Sequence, residues 1–494
     1  MTRKLSPSML HVVLLLTADT REHLVTIMAR QECSPEDLRA QGLQRRRRSS
    51  AGTTATAGAR RVSASHPLLP SISEAMSDLG SDILLDAIDS RGKTEIEMIL
   101  REMAVNPNIR TKEAGRFPLH IAAARGDIEL VYLLLDHGAA IEAVDDQGQT
   151  ALHVAVVEDH CEVVKALLGC DEERDSAVDL GEAGRHRTLA NPKALDNNGH
   201  TPLSLAAWHG ISPATLELLT GLGEEVVNQR CRDPVMPSAL FAAAAAGKLE
   251  TAKILLRQKA NPSVSDEEDR TLLHRTHWPI AAKLTPLLLK HGADARAKDG
   301  NGLESVHVAA RQGKRRIVDE LLGAAKPAPV EAPDFRGATP LIYAAESGSV
   351  ALVRSLIEKH KADVRAVDVH GNDAFLAAAT KGHSMVLAYL LGRQARDRGI
   401  NQPNACGHTA LHAAAQFGRT ETARFLLTMG ADPKLVTREG LSGLKVPLIG
   451  QATPANLARA MGHEETARMI ERFDESDVDD GRIEWAVECV GPKA

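Results

Sequence analysis

Five histidines, His120, His153, His274, His307 and His412, share one position in a recurring phrase. Imidazole is a frequent metal ligand and titrates near neutral pH, so such a set invites metal or proton-transfer chemistry. Their placement argues against it. Each ring opens its own short apolar segment, and a buried polar group of that kind ordinarily finds a hydrogen-bond partner close by. His463-Glu464-Glu465-Thr466-Ala467 lacks the second histidine of a helical zinc protease site, and Asp334-Phe335-Arg336-Gly337 stands without the rest of a kinase metal-loop signature. A phosphate-binding G-x-x-x-x-G-K-[ST] loop, a G-x-G-x-x-G turn and a G-x-S-x-G nucleophile turn are also missing from the sequence. Catalytic, cofactor-binding and metal-binding residues are therefore all read as none, and the chain is expected not to be an enzyme.

Cys33, Cys161, Cys170, Cys231, Cys406 and Cys489 are scattered with no C-x-x-C pair, which reads as reduced thiols in an intracellular protein. Cys161 and Cys170 are placed on one apolar helix, as core. Modification chemistry is better signalled. Arg46-Arg47-Arg48-Ser49-Ser50 and Arg60-Arg61-Val62-Ser63 resemble basic-directed kinase sites, so Ser49, Ser50 and Ser63 are candidates, and Ser476 lies among acids that suit an acid-directed kinase.

The elements that position these residues repeat. A phrase shaped T-P-L-H-x-A-A-x-x-G starts at Ile83, Phe117, Thr150, Thr201, Ser238, Thr271, Glu304, Thr339, Asp373, Thr409 and Thr453, mostly about 33 residues apart. Glycine holds its tenth place except in two units, where Asp159 and Ile280 stand instead. The leading Thr caps a first helix and Pro follows where no amide donor is needed. Small Ala residues allow close packing, the glycine reverses the chain through positive φ, and an apolar stripe buries a second helix. His137-Gly138-Ala139 and His291-Gly292-Ala293-Asp294 end second helices, and Asp145-Asp146-Gln147-Gly148 or Asp196-Asn197-Asn198-Gly199 form projecting turns.

On these residues the chain resembles the ankyrin-repeat family over roughly four-fifths of its length. The resemblance implies an all-α solenoid of about eleven helix-turn-helix units with projecting turns, histidines that hydrogen-bond neighbouring backbone, and a concave side of turn tips and first helices that binds proteins. Domain limits are set at 1–80 for a largely disordered leader with short helices and a basic run, 81–473 for the array with an insert at 171–191, and 474–494 for a short acidic tail. Small-to-large changes mark the unit at Thr271, where Thr276 and His277 replace the Ala pair and packing should loosen; Pro286 is read as early in its second helix, where a missing donor is tolerated. The units at Ile83 and Thr453 read as caps.

Positions eight and nine of each phrase, with the tips, are the expected partner face: Trp208, His209, Arg311 and Phe417 on first helices, Phe335, Arg336 and His370 on tips. Trp208, Arg311 and Phe417 are either anchors for a partner or shields for Ala-rich gaps between units. Only 3% of residues are aromatic and the net charge is -6, so thin cores fit the composition and no global pull toward nucleic acid or anionic membrane is expected. The run Met9 to Leu16 contains His11 and no clear cleavage site, which argues against a signal peptide, and no apolar stretch reaches the length of a membrane span. The resulting expectation is a monomeric cytoplasmic scaffold or adaptor with protein partners, no small-molecule substrate and no cofactor. Two other readings stand beside it. The run Arg45 to Arg48 is either a solvated linker or an import signal for a nuclear regulator that binds a transcription factor, and the array could instead be the substrate-targeting subunit of a kinase or ubiquitin-ligase complex.

Overall fold

The computed structural model describes residues 84–88, 93–102, 105–111, 114–170, 189–394, 399–438 and 452–473. The leader, most of the insert, the tail, the basic run and Ser49, Ser50, Ser63 and Ser476 lie outside them. The chain divides into two compact units, Met1–Asn197 and Asn198–Ala494. The first carries the repeats that begin at Ile83, Phe117 and Thr150. The second carries the other eight.

First helices begin one residue after the expected starts throughout both units, as in Pro118–Arg125, Pro202–His209, Ser305–Arg311 and Ala410–Gln416. Each is followed by an antiparallel second helix, for example Ile128–Asp136, Arg315–Gly323 and Thr420–Thr428. The arrangement is all-α, with isolated two-residue bridges such as Ser265 to Thr271 and Lys298 to Glu304 at the turn bases. Alanines of the phrase are fully shielded, Ala122 and Ala123 in the first unit and Ala309 and Ala310 in the second. Without larger side chains there, first helices of successive repeats approach closely, and the Leu stripe of each second helix closes the other side of a thin core. The reversal between the two helices passes through the left-handed region at Gly126, Gly348 and Gly418, and at Asp159 where the glycine is replaced. Asp bears that conformation better than most side chains.

The unit at Thr271 departs from the others. Its first element is a single 3-10 turn, Leu272–His274, and Ile280 takes an ordinary right-handed conformation. Thr276, whose buried hydroxyl lacks a partner among the described residues, occupies space that Ala fills elsewhere. Trp278 then packs T-shaped against the buried ring of Phe241 with centroids 6.1 Å apart, and the Arg275 guanidinium lies over the Trp278 ring, 5.6 Å from its centroid. Two expectations need correction. Pro286 is the sixth residue of the ten-residue helix Ala281–Lys290, past the first turn, so it removes a helical bond. Cys170 falls beyond the helix Cys161–Leu168 and is exposed, because Gly169 has already turned the chain left-handed.

A further departure is an insertion. The second helix of the unit at Thr339 runs ten residues against the nine of Arg315–Gly323 and Thr420–Thr428, and it absorbs the extra one as a π turn, Val350–Arg354 running into Ser355–Lys359. The amide of Ala362 consequently reaches the Leu356 carbonyl, six residues back, at 2.9 Å, while Lys361 keeps the positive φ that Lys259 and Gly430 take at the same helix end.

Candidate protein-binding face

The recurrent histidines are structural clamps. The Nδ1 atom of His153 accepts from the Thr150 amide at 3.2 Å and pairs with its hydroxyl at 2.9 Å, and His274 and His412 repeat the arrangement with Thr271 and Thr409. The Thr hydroxyl thus pairs with the ring within a capping box in these units, whereas Thr201 closes its box with Ser204, accepting from the Ser204 amide at 3.1 Å. The other ring nitrogen donates to a carbonyl of the next turn: His120 to Gln149 at 2.8 Å, His274 to Leu303 at 3.0 Å, His307 to Ala332 at 2.8 Å and His412 to Ala452 at 3.2 Å. Burial lowers the pKa of each of these four, that of His412 to about 4, so the neutral ring is the folded form. Among the described residues no three His, Cys, Asp or Glu side chains gather into a metal site.

A second set of clamps was not anticipated from the sequence. The residue that opens the second helix reaches back to the preceding repeat: His160 bonds the Ala124 carbonyl at 3.0 Å, His383 that of Glu346 at 2.9 Å, and Arg419 that of Thr380 at 3.2 Å. The His160 and His383 rings lie on Gly126 and Gly348, where a Cβ would come within 2.7 Å. The signal was readable as a polar side chain directly after the tenth place of the phrase, facing a glycine one repeat earlier.

Projecting turns are built alike. Asp299 accepts from the amides two and four residues on at 2.9 Å each, and Asp334 and Asp368 do so at 2.8 Å. Burial works to raise the Asp334 carboxyl, but the Tyr343 hydroxyl at 2.7 Å and these amides outweigh it and hold its pKa low. Successive tips pair by backbone: Gly300 to Glu268 at 2.9 Å, Val369 to Arg336 at 2.8 Å, Ala405 to His370 at 3.0 Å and Arg438 to Cys406 at 3.0 Å. This ladder puts the tip side chains in a row.

All seven expected partner residues are exposed. Trp208 and His209 close the helix Pro202–His209, with 41% of the indole exposed. Arg311 closes Ser305–Arg311 and Phe417 caps Ala410–Gln416 with 45% exposed. Phe335, Arg336 and His370 stand on adjacent rungs of the tip ladder. Trp208 and His209 are separate, three repeats before Arg311. Phe335, 73% exposed, also lies across Gly302, so it covers a preceding tip as well as facing solvent. Arg336 is tethered to the Tyr343 hydroxyl at 3.1 Å. Exposed Lys381, at the ninth place of its phrase, extends the same face, as do Val369, 65% exposed beside Phe335's rung, Arg419 and Arg438; these last three were missed by reading helix ends alone.

A family model described as ankyrin repeats, in three copies, matches residues 84–179, 279–368 and 361–437. The chain belongs to the ankyrin-repeat family. Its ankyrin array continues through the stretch the model leaves out, since the same helix pair recurs at Thr201 and Ser238. The human transient receptor potential cation channel subfamily A member 1 is 27% identical over 320 residues, 63% of this chain and 26% of that protein. The mouse B-cell lymphoma 3 protein homolog is 29% identical over 219 residues, 43% of this chain and 45% of its own length, and human ankyrin repeat and SOCS box protein 16 is 28% identical over 222 residues, 43% and 44%. The chain thus spans less than half of each of these relatives. Ankyrin repeats are protein-interaction modules, and this array has that role in general. No described helix is long and apolar enough to cross a membrane.

Proposed function

We propose that the chain is a non-enzymatic adaptor that grips a partner protein along the tips and first helices of the residue 198–494 unit. The observation that carries this reading is the tip ladder: it lines exposed Phe335, Arg336, Val369 and His370 in a fixed row, while Arg311 and Phe417 stand exposed at the far ends of first helices. Aromatic and Arg side chains dominate binding energetics when held on a rigid scaffold, often at about 2 kcal/mol or more each. Backbone pairing between tips supplies that rigidity, so little ordering is needed on association. The working location is the cytoplasm, with the run Arg45 to Arg48 available for nuclear import. Affinity capture with the whole protein beside a Trp208→Ala, Arg311→Ala, Phe417→Ala variant tests the face. Loss of specific captured proteins is expected, and an identical set in both samples refutes it. Moving the protein out of the nucleus by removing residues 1–80 would favour the import role; an unchanged distribution would end it.

A further inference from the structure

Charge is distributed unevenly along the chain. Residues 304–438 hold 18 Lys and Arg against 13 Asp and Glu, a local net charge of +5 in a protein of net charge -6. On the tip and first-helix face the exposed members are Arg311, Arg336, Lys381, Arg419 and Arg438, with His370 among them; Arg336 also lies 3.8 Å from the Asp334 carboxylate, and Arg419 bonds the Thr380 carbonyl. The acids on that face are committed or shielded. Asp334 and Asp368 accept their own turn amides, Asp373 accepts from the Leu376 amide at 2.9 Å, Glu304 is buried, and Glu346 is half-buried. Phe335, Val369 and Phe417 supply exposed apolar surface between the cations. The face therefore suits an acidic segment interleaved with apolar side chains.

The chain carries such a segment. Residues 474–488, Asp474-Glu475-Ser476-Asp477-Val478-Asp479-Asp480-Gly481-Arg482-Ile483-Glu484-Trp485-Ala486-Val487-Glu488, hold seven acids and one Arg, with Val478, Ile483, Trp485 and Val487 between them. It follows directly on Phe473, after the last described helix, Glu464–Arg472. The step from Phe473 to Trp485 spans up to about 40 Å when extended, enough to reach back over the closing repeats. A tether of that length also raises the local concentration of the segment to the millimolar range or so.

We propose that residues 474–488 dock on the tip and first-helix face of residues 304–438 and compete there with a partner. This rests on the reading of that face as the binding surface. Phosphorylation of Ser476 adds negative charge and tightens the docking, so the face opens when the site is dephosphorylated or when a more acidic partner displaces the segment.

The test uses the full chain with the photo-crosslinking residue benzoylphenylalanine in place of Trp485. Irradiation at low salt should give links within one chain to residues 335–346, 369–381 or 411–419. Their yield should fall about 5-fold in an Arg311→Glu, Lys381→Glu variant and in the parent at roughly 0.5 M salt, since exposed charge pairs are screened and reversible. Both substituted residues are exposed helix ends, and an unchanged melting temperature checks that the variant folds. The salt series on the parent stands if it does not. Links to the second-helix side, links insensitive to both charge reversal and salt, or links formed only between differently tagged copies overturn the proposal. Should the segment link elsewhere while the Trp208→Ala, Arg311→Ala, Phe417→Ala variant still loses captured proteins, the docking idea fails and the binding face survives; should both fail, the face itself is misassigned.

Discussion

The Nε2 atom of His383 donates to the Glu346 carbonyl at 2.9 Å while its ring covers Gly348, so one side chain ties two successive repeats at the point where the first of them reverses. His160 makes the same tie over Gly126. These ties explain why glycine is required there twice over, for its positive φ and for the absence of a Cβ.

Gly348→Ala should therefore cost more than a change of backbone preference alone. Left-handed φ costs an L residue about 1–2 kcal/mol, and displacing the ring adds the loss of a hydrogen bond, for about 2–3 kcal/mol in all. Urea unfolding of the full chain measures it. A cost under about 1 kcal/mol would mean that the ring moves aside freely.

The buried histidines set the response to acid. The folded pKa of His412 lies at about 4 against about 6.5 unfolded. The unfolded chain binds the proton first, so stability is complete above pH 6.5 and is lost as pH falls toward 4. His412 alone accounts for about 3 kcal/mol of that loss, with His120, His274 and His307 acting in the same direction. Denaturant titrations at pH 7 and pH 5 should show the drop, and His412→Gln should reduce it. A pH-independent midpoint would contradict the assignment.

Glu304 stands where most repeats have Thr, is 5% exposed, and leaves Oε2 without a partner among the described residues. Burial raises its pKa, so its contribution worsens as pH rises above the unfolded value. Glu304→Thr should stabilise the protein at pH 7 by about 1–2 kcal/mol, read as a higher melting temperature. A lower one would reveal a compensating role for the carboxyl.

Face and core residues should separate cleanly. Trp208→Ala removes a partly exposed ring and should cost about 1 kcal/mol or less, whereas Phe241→Ala empties a fully buried site and should cost about 3–5 kcal/mol. Comparable losses in the two variants would make Trp208 a structural shield.

Hydrogen exchange should find the weak repeat. Amides of residues 272–280, with one 3-10 turn, should exchange faster than those of Ala239–Ala245 and Ser305–Arg311 on either side. Equal protection across the three would show that the Trp278 packing replaces the missing helix in full.

Much of this was legible because the repeat makes each unit a check on the others. Thr201, Glu304 and Asp373 share little chemistry, yet register alone placed all three at helix starts. The partner residues were legible only as exposed positions, since exposure follows from helix phase while convergence depends on neighbours a repeat away. Register marked the unit at Thr271 as irregular but could not anticipate that Ile280 stays right-handed, because a phrase that keeps its length can still lose its helix when Thr276 and Trp278 fill the space. Nor could it anticipate the π turn at Ser355–Lys359. One added residue leaves the apolar spacing readable while the hydrogen bonds rearrange.

That π turn has a bearing on how such a protein drifts through generations. The extra residue is swallowed inside a helix, and the tips on both sides, Arg336 with Val369 and His370 with Ala405, stay in step. An insertion that lengthens a second helix by one thus leaves unaltered the opposite edge that a partner molecule would read.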